Sequence, residues 1–416
     1  MTKIDVIKAA FRAWGRELYR KTSLSQVARE LGVTKPALYR HFKNKQGLLN
    51  EMHAYFFDKY AEAVRADYDR ALRIEDRDER YLIISQSLAR FYSRDTDIFI
   101  FSLIWVYGSR RADTTEQLAR RGVGIRELLR PGEDTPDYPN LLQMVIVTVI
   151  FWIACFHQDC LGFPDSPSLI EARDEAIVDR AIAFVEQKLV AGLGLDRETA
   201  AALDFEGIEK RLGSPPEYSE DDRLIRAVGA VVAETGPWNA SMNMVARRSG
   251  LAKSSLYSHF ENKGEMLAQL FLTEVDRLIA YTVASQEKSS LAEERLYLAI
   301  IAAADYLRSR PEFLIAIDWL RLRNLNLGDH TPPRLCLMFQ GVGLEAFGGD
   351  APDSETEARA ERVAQWVFFL IVNILLRWKA GEHTVTPSVE DISGVRNESF
   401  RRLYKFITLG MKGFDL

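Results

Sequence analysis

Cysteine is scarce in this chain of 416 residues: there are only three, which excludes the disulfide framework of a small secreted domain. The three are not arranged in pairs with metal-ligand spacing, although His157 and Cys160 together resemble half of a zinc site. No second pair accompanies them in the sequence. Neither a metal nor any other cofactor is therefore predicted.

Long hydrophobic runs are also missing. The longest run, residues 141–156, has 16 residues and contains Gln143, whereas a membrane-spanning helix needs about 20 apolar residues. A buried helix is therefore predicted there, with no membrane as a partner. The first residues, MTKIDVIKAAFRAW, are amphipathic and lack the apolar centre of a secretion signal, so we expect the chain to be cytoplasmic.

Signatures of enzymes and of β-strands are nearly absent. The sequence contains no glycine-rich phosphate loop, nucleophile elbow or carboxylate pair, so no enzyme and no catalytic residue is predicted. Apolar residues instead recur every three or four positions, as at Ile4, Ile7, Phe11 and Trp14. This period is typical of helices with one buried face. It predicts an all-α protein with about nine helices in each half.

Positive charge is concentrated at the start of an acidic chain. The net charge is -5, yet residues 1–50 contain 11 Lys and Arg against three Asp and Glu. Residues 221–268 contain six against five, so the remainder carries -14. One compact basic region on an acidic body is the asymmetry expected when a single surface faces phosphate.

The chain contains an internal repeat whose period exceeds half its length. Residues 24–48 read LSQVARELGVTKPALYRHFKNKQGL and residues 242–266 read MNMVARRSGLAKSSLYSHFENKGEM, with 11 of 25 positions identical. The interval along the chain from position 24 to position 242 separates each residue of the first copy from the equivalent residue of the second. It is called the repeat offset below. So long a period indicates a duplicated domain rather than a solenoid.

The segment between the copies, 194–220, is predicted to be a linker. Its middle is predicted to form a short helix, and Gly213, Pro215 and Pro216 mark a break just before the second copy. The connection is long enough to impose little on how the two copies are arranged.

Each copy has the pattern of a helix-turn-helix. Ser23 and Ser241 stand where a helix N-cap is wanted, and Gly32 and Gly250 end that helix in a residue able to take the left-handed conformation. A short turn follows, and a second helix then begins, with Thr34 as its N-cap in the first copy. A helix, a glycine turn and a short helix together predict a helix-turn-helix.

Residues 22–45 resemble the DNA-binding domain of the tetracycline-repressor-like (TetR) family, and residues 240–263 resemble a second one. The family pattern ends its recognition helix in Leu-Tyr-x-His/Tyr-Phe-x-x-Lys, which LYRHFKNK at 38–45 and LYSHFENK at 256–263 both satisfy. The resemblance is confined to the start of each half. It implies a DNA operator as partner, a small-molecule effector, and a helical body that pairs with a second copy.

The resemblance and the spacing together indicate which residues contact DNA. Lys35 and Lys253 open the recognition helices, where a cation reaches guanine or phosphate. Tyrosine and histidine further along each helix suit phosphate oxygens, and Lys45 and Lys263 begin the next helix, whose amides also favour an anion. The predicted DNA-binding residues are Ser23, Ser25, Thr34, Lys35, Tyr39, His41, Lys45, Ser241, Lys253, Ser254, Ser255, Tyr257, His259 and Lys263. Leu38, Phe42, Leu256 and Phe260 are predicted to be core.

The second head departs from the first. Pro36, Arg40 and Lys43 of the first copy are replaced by Ser254, Ser258 and Glu261. The contact residues remain but the surrounding charge is weaker, so the second head is predicted to bind a different half-site, to bind more loosely or to be partly degenerate.

The rest of each half is predicted to be a helical body. The predicted domains are a first head at 1–50, a first body at 51–193, the linker at 194–220, a second head at 221–268 and a second body at 269–416. By the resemblance, the two bodies pair within one chain as an intramolecular pseudo-dimer, monomeric or assembled further, on an operator that need not be palindromic. Candidate effector contacts are Trp105, Tyr107, Gln143, Trp152, His157, Trp319, Trp366 and Asn373; each also suits a core position.

Two functions remain open. The first is a sequence-specific transcription regulator with two non-identical heads, a repressor released by a small hydrophobic ligand. The alternative is a sensor or interaction protein whose second head has lost tight DNA binding.

Overall fold

The structure is a computed structural model, and the described residues are 2–15, 23–103, 114–130, 133, 141–161, 175–195, 197–218, 222–235, 240–252, 254–256, 263–315, 335–342, 354–376 and 392–414. All regular structure in these ranges is helical, so the predicted all-α fold is confirmed. None of the described helices is long and apolar enough to cross a membrane.

The chain divides into two compact units. One comprises Met1–Asp134, Val145–Gln187 and Lys379–Thr384, and the other comprises Thr135–Met144, Lys188–Trp378 and Val385–Leu416. The helices of the first half are α1 (Lys3–Gly15), α2 (Leu24–Glu30), α3 (Lys35–Tyr39), α4 (Lys45–Ala71), α5 (Arg77–Arg94), α6 (Thr96–Phe101), α7 (Thr114–Ala119), α8 (Leu141–Leu161) and α9 (Glu175–Ala191). Those that follow are α10 (Arg197–Ala201), α11 (Phe205–Arg211), α12 (Arg223–Thr235), α13 (Met242–Ser249), α14 (Lys263–Gln286), α15 (Ala292–Ser309), α16 (Ser354–Leu375) and α17 (Glu398–Leu409).

The apolar stripe of α1 faces the core of the first unit, with one exception. Ile7, Phe11 and Trp14 are buried as predicted, but Ile4 is 52% exposed. Phe11 packs against Phe101 of α6, with ring centroids 4.9 Å apart in an edge-to-face arrangement. The buried face of α1 therefore begins after Ile4.

An arginine at the same place in two helices indicates that the duplication extends into the bodies. Arg80, near the start of α5, donates from Nη1 to the carbonyl of Ile74 at 3.0 Å. Arg295, at the same place in α15, donates from Nε to the carbonyl of Ser289 at 2.7 Å. Both helices have 18 residues, and the step along the chain from Arg80 to Arg295 equals the step from Ile74 to Ser289. Sequence comparison alone matched these bodies only in length and helical habit.

The segment predicted to be a linker contains α10 and α11. Asp204 caps α11 by accepting from the backbone N–H of Gly207 at 3.0 Å. Glu209 of α11 accepts from the hydroxyl of Tyr297 at 2.6 Å and from Nε of Arg401 at 2.8 Å. Burial opposes ionisation of Glu209, but these hydrogen bonds outweigh it and hold its pKa below the ordinary value. The segment is thus fastened to α15 and α17 within the second unit.

Two glycines related by the repeat offset meet at the ends of α9 and α17. Gly192 and Gly410 both have positive φ, +59° and +72°. A Cβ at Gly192 would lie 2.5 Å from the carbonyl oxygen of Ile407, and a Cβ at Gly410 would lie 2.6 Å from that of Leu189. The repeat offset also relates Leu189 to Ile407. Gly192 therefore contacts Ile407 in the same way as its equivalent, Gly410, contacts Leu189. Such a reciprocal contact is the pattern of a two-fold interface. This contact is named the glycine junction below.

Candidate nucleic-acid interface

The first helix of the helix-turn-helix begins at a capping box. The hydroxyl of Ser23 accepts from the backbone N–H of Gln26 at 3.4 Å, and the Gln26 side chain accepts from the Ser23 N–H at 2.7 Å. Two amides that the helix start leaves without partners are satisfied in this way. Ser23 is therefore an N-cap, as predicted, and Ser25 beside it is partly exposed.

The glycine turn has the same geometry in both heads. Gly32 has φ +65° and Gly250 has φ +68°. The N–H of Val33 donates to the carbonyl of Ala28 at 2.9 Å, and the N–H of Leu251 donates to that of Ala246 at 3.0 Å. This is the closing bond of a Schellman motif, which needs a left-handed residue that glycine adopts without strain. The predicted left-handed turn is confirmed in each copy.

The recognition helix α3 presents its polar side chains to solvent. Leu38 is 1% exposed and Phe42 is 4% exposed, so both are core as predicted. Tyr39, by contrast, is 50% exposed, and Lys35 is exposed as well. Thr34 occupies the N-cap position without making a capping hydrogen bond through its side chain, so a hydroxyl stands at the start of the exposed face.

Lys45 begins α4 beside the recognition helix. Its Nζ lies 5.9 Å from the centroid of the Trp14 ring, an arrangement in which the ring face attracts the cation. Burial lowers the pKa of the Lys45 ammonium. The preceding residue, Asn44, caps the helix by accepting from the N–H of Gly47 at 2.8 Å. His41, a further predicted contact, lies in the short segment of the chain between α3 and Lys45. Its side chain is partly exposed.

The field around this surface is positive. No Asp or Glu occurs between residues 31 and 50. The nearest preceding acid, Glu30, accepts from Nε of Arg12 at 3.2 Å, and the next, Glu51, pairs with Lys3 at 2.5 Å. Because both carboxylates have cationic partners, the exposed face of α3 keeps its net positive charge.

The second head repeats this scaffold with fewer polar supports. The hydroxyl of Ser241 accepts from the N–H of Met244 at 3.4 Å, but the reciprocal bond is impossible because Met244 stands where Gln26 stands in the first head. Its core contains Val245 and Leu256, which are 3% and 1% exposed. Half of the capping box is thus lost while the core is kept.

Several predicted contacts of the second head lie outside the described residues. These are Lys253, Tyr257 and His259, together with the side chain of Lys263, whose backbone begins α14. The predicted core residue Phe260 lies outside them as well. Ser254 is exposed and Ser255 partly exposed. The assignment of all these polar residues to DNA binding stays a prediction.

An exposed arginine at the end of α2 and of α13 was missed by the sequence reasoning. Arg29 and Arg247 are identical residues related by the repeat offset, and both are exposed in the last turn before the glycine turn. Their identity between the copies was the available signal. Arg248 beside Arg247 pairs instead with Glu234 at 2.7 Å.

The predicted effector contacts do not converge on a described cavity. A cavity of about 270 Å³ lies at the glycine junction, lined by Val190, Ala191, Leu195, Arg197, Thr408, Leu409, Lys412 and Gly413, and none of the predicted effector residues is among them. Trp105, Tyr107 and Trp319 lie outside the described residues. Gln143 is partly buried, and Trp152 is buried with its ring 4.9 Å from that of Phe184.

The polar candidates for effector binding are bonded within the protein. His157 Nδ1 lies 2.9 Å from the hydroxyl of Thr96, and its Nε2 lies 2.8 Å from the carbonyl of Tyr92. Asn373 donates to the carbonyl of Phe369 at 2.7 Å, and Trp366 is fully buried. These contacts favour a core role. Within the described ranges, no three His, Cys, Asp or Glu side chains are grouped as metal ligands would be.

The geometry of the first head, whose capped helix and glycine turn recur in the second head, defines a class of protein. A three-helix head in which a capped helix, a left-handed glycine and a second short helix follow one another is a helix-turn-helix DNA-binding domain. The family model described as "Bacterial regulatory proteins, tetR family" matches residues 6–52 and 224–270. Residues 6–52 and 224–270 are therefore similar to the DNA-binding domain of the tetR family, and the predicted resemblance is confirmed.

One curated relative resembles a stretch of this chain. It is the fatty acid metabolism regulator protein of Bacillus subtilis (strain 168), which is 28% identical over 112 residues. The match covers 27% of this chain and 56% of the relative. This chain therefore spans little more than half the length of that relative.

Proposed function

We propose that this protein is a sequence-specific, DNA-binding transcription regulator that presents two unlike heads on one chain. The observation that carries the proposal is the exposed face of α3. Lys35 and Tyr39 project to solvent there, within a stretch, 31–50, that contains no acid. Such a face suits the anionic major groove.

The contacts divide into those that read sequence and those that set the register. Lys35 opens the recognition helix and reaches guanine or phosphate. Tyr39 and His41 hydrogen-bond phosphate oxygens, which fixes the position of the helix without reading bases. Lys45 adds a cation at the start of α4, where the free backbone amides also attract an anion.

The second head contributes a weaker contact. It keeps the glycine turn and the buried core, but its net charge is +1 against +8 for the first head. Because non-specific affinity depends on the number of phosphates neutralised, the second head contributes less to binding than the first.

Both heads belong to one functional unit in this proposal. The glycine junction supports it, because equivalent residues near positions 189–192 and 407–410 contact each other reciprocally. A single chain that pairs its own copies leaves the heads free to diverge, so the two halves of the operator need not match.

The direction of regulation that we propose, repression, is the one that the resemblance to the family implies. We propose a repressor that a small hydrophobic ligand releases from its operator. The matched relative is named as a regulator of fatty acid metabolism, which agrees with an effector of apolar character.

Selection of bound DNA from a random pool tests the function. The proposed regulator enriches one sequence with two half-sites that differ. Recovery of no sequence would favour the alternative, an interaction protein whose duplicated heads have lost tight DNA binding. A palindromic sequence would contradict the divergence of the heads.

Salt is expected to weaken operator binding steeply. Each neutralised phosphate releases condensed counterions, so the logarithm of the affinity falls linearly with that of the salt concentration, by about 0.9 per phosphate contact. With six contacts, we expect a slope of about -5, measured by fluorescence anisotropy with a labelled operator. A slope of zero would contradict a binding mode based on phosphate contacts.

One chain is expected to occupy one operator. Light scattering at low protein concentration should give a mass near 47.4 kDa for the free protein, and the complex should contain one chain for each duplex. A complex that always holds two chains would count against pairing within one chain.

A further inference from the structure

The second head is joined to its own body through buried charges. Asp222, just before α12, is 3% exposed, Glu274 of α14 is 2% exposed, and Arg310, after α15, is 2% exposed. Together with Arg277, whose side chain is 36% exposed, these residues are named the charge cluster. It brings two carboxylates and two guanidinium groups from three parts of the chain into contact.

Ion pairs and hydrogen bonds link the residues of the charge cluster. Nη1 of Arg310 lies 3.3 Å from Glu274 and 3.6 Å from Asp222. Arg277 pairs with Asp222, and also with Glu274 at 2.8 Å. The hydroxyl of Tyr306 donates to Glu274 at 3.0 Å. Glu274 therefore accepts from three donors, whereas Asp222 accepts from Arg277 and forms a longer ion pair with Arg310.

The same arginine also fixes the chain that enters the second head. Nη2 of Arg310 donates to the carbonyls of Pro216 and Glu217, at 3.1 and 3.2 Å. Its guanidinium carbon lies 4.4 Å from the centroid of the Tyr218 ring. Arg310 thus holds the segment that leads into α12 as well as the charge cluster.

In the first unit an aromatic ring stands where the second unit has the buried carboxylate of Glu274. The repeat offset relates Phe56 to Glu274, and the register that aligns α5 with α15 places Phe91 opposite Tyr306. Phe91 lies flat on Tyr60, with centroids 5.1 Å apart and an interplanar angle of 8°, and Phe56 lies 6.1 Å from Phe91. Phe56 also lies 5.8 Å from Phe101, the ring that Phe11 of the first head contacts edge-on. These rings are named the aromatic cluster.

Polar contacts between the first head and α4 include an exposed ion pair. Lys3 and Glu51 have side chains 48% and 42% exposed. Solvent-exposed pairs of this kind contribute about 0–1 kcal/mol and impose little geometry.

Buried charges and ring contacts restrain motion differently. A buried guanidinium must keep its carboxylate partners within hydrogen-bond distance, because an unpaired buried charge is strongly unfavourable. Ring contacts depend weakly on direction, since edge-to-face and offset-stacked arrangements are both favourable. A small rotation of the head breaks the first kind of contact but only rearranges the second.

We propose that Asp222, Glu274 and Arg310 are positioning residues that hold the second head in one orientation on its own body, while the first head turns on its aromatic cluster. The second head then keeps a fixed orientation on its body, and the first head moves on its own. The orientation of each head on its body is a property of the free protein, so its test does not depend on the proposed function.

Distances between spin labels within each unit test the proposal without DNA. Arg247 and Glu287 in the second unit are exposed, and so are their equivalents at the repeat offset, Arg29 and Asp69 in the first. Each pair is replaced by labelled cysteines in a full chain whose three native cysteines are changed to alanine. The distance distribution of the second pair should be narrower by at least about twofold. Equal widths would overturn the proposal.

A double variant assigns the effect to the charges. Glu274→Leu with Arg310→Met removes two opposite charges together, a change that is often neutral for stability. The distribution of the second pair should then broaden to the width of the first, while the thermal midpoint and the helical content stay near those of the parent. An unchanged width in a folded double variant would overturn the assignment.

A matched control removes an exposed ion pair of the same head. Arg248 and Glu234 pair at 2.7 Å with side chains 51% and 55% exposed. Arg248→Met should leave the width unchanged; equal broadening in this variant would contradict a specific role of the charge cluster. If the double variant does not fold, the comparison of the two units in the parent chain still decides the proposal.

Discussion

Replacing Lys35 and Tyr39 together by alanine is expected to weaken operator binding by about 100-fold, because each lost contact to base or phosphate is worth roughly 1–3 kcal/mol. Both side chains are exposed on α3, so their removal leaves the core of the head intact. Anisotropy titration with the selected operator measures the loss. Circular dichroism should show an unchanged thermal midpoint.

The same substitutions in the second head are expected to cost less. Lys253→Ala with Tyr257→Ala should weaken binding by about 10-fold, because the weaker field of that head gives each contact less electrostatic support. Lys59→Ala serves as the control, since Lys59 is a lysine of α4 that pairs with Glu62 at 2.7 Å outside the predicted interface. Equal losses from the two heads would refute the asymmetry.

The glycine junction gives the second large effect, which concerns stability. In Gly192→Ala the new Cβ would lie 2.5 Å from the carbonyl oxygen of Ile407 and 2.8 Å from the backbone nitrogen of Gly410. Backbone atoms cannot move aside as a flexible side chain can. We expect the free energy of unfolding to fall by about 3 kcal/mol or more, with a loss of operator affinity as the pairing of the copies is disturbed.

Gly194 supplies a matched control in the same turn. Its φ is +70°, close to the +59° of Gly192, but a Cβ at Gly194 would meet nothing within 4 Å. Gly194→Ala therefore carries only the cost of the left-handed conformation, about 1 kcal/mol. Urea unfolding of both variants separates this cost from that of the close approach. If the two variants are destabilised equally, close packing at Gly192 does not matter.

The heads could be predicted from the sequence because their signals are local. A serine N-cap, a glycine with positive φ and a short amphipathic helix follow one another closely, and each is determined by its neighbours in the chain. Repetition of this pattern from residue 242 onwards made the prediction specific. For the same reason the burial of Leu38 and Leu256 followed directly from helical spacing.

Long-range features of the bodies could not be predicted in this way. Arg80 donates to the carbonyl of Leu128 and Arg295 to that of Gly341, and a carbonyl acceptor has no side chain that marks it in the sequence. Gly192 and Gly410 meet because their helices end together, although the residues around them differ. The charge cluster likewise depends on residues that lie far apart in the chain.

The polar residues of the apolar helices were the hardest to interpret. His157 and Asn373 carry the side chains that a ligand pocket needs, yet in the structure each is hydrogen-bonded by its own protein. A buried polar group requires a partner in either case. The sequence shows the group but not the partner, so it cannot separate the two roles.

Covalent continuity between the copies has a genetic consequence. In a regulator assembled from two separate polypeptides, a defective allele produces mixed dimers that inactivate the healthy product. If the copies pair as proposed, through the reciprocal contact of Gly192 and Gly410, both partners come from one translation product, so alleles would not mix and a loss-of-function mutation is expected to be recessive. Pairing within one chain would also be independent of expression level, because the partner is always present at the same effective concentration.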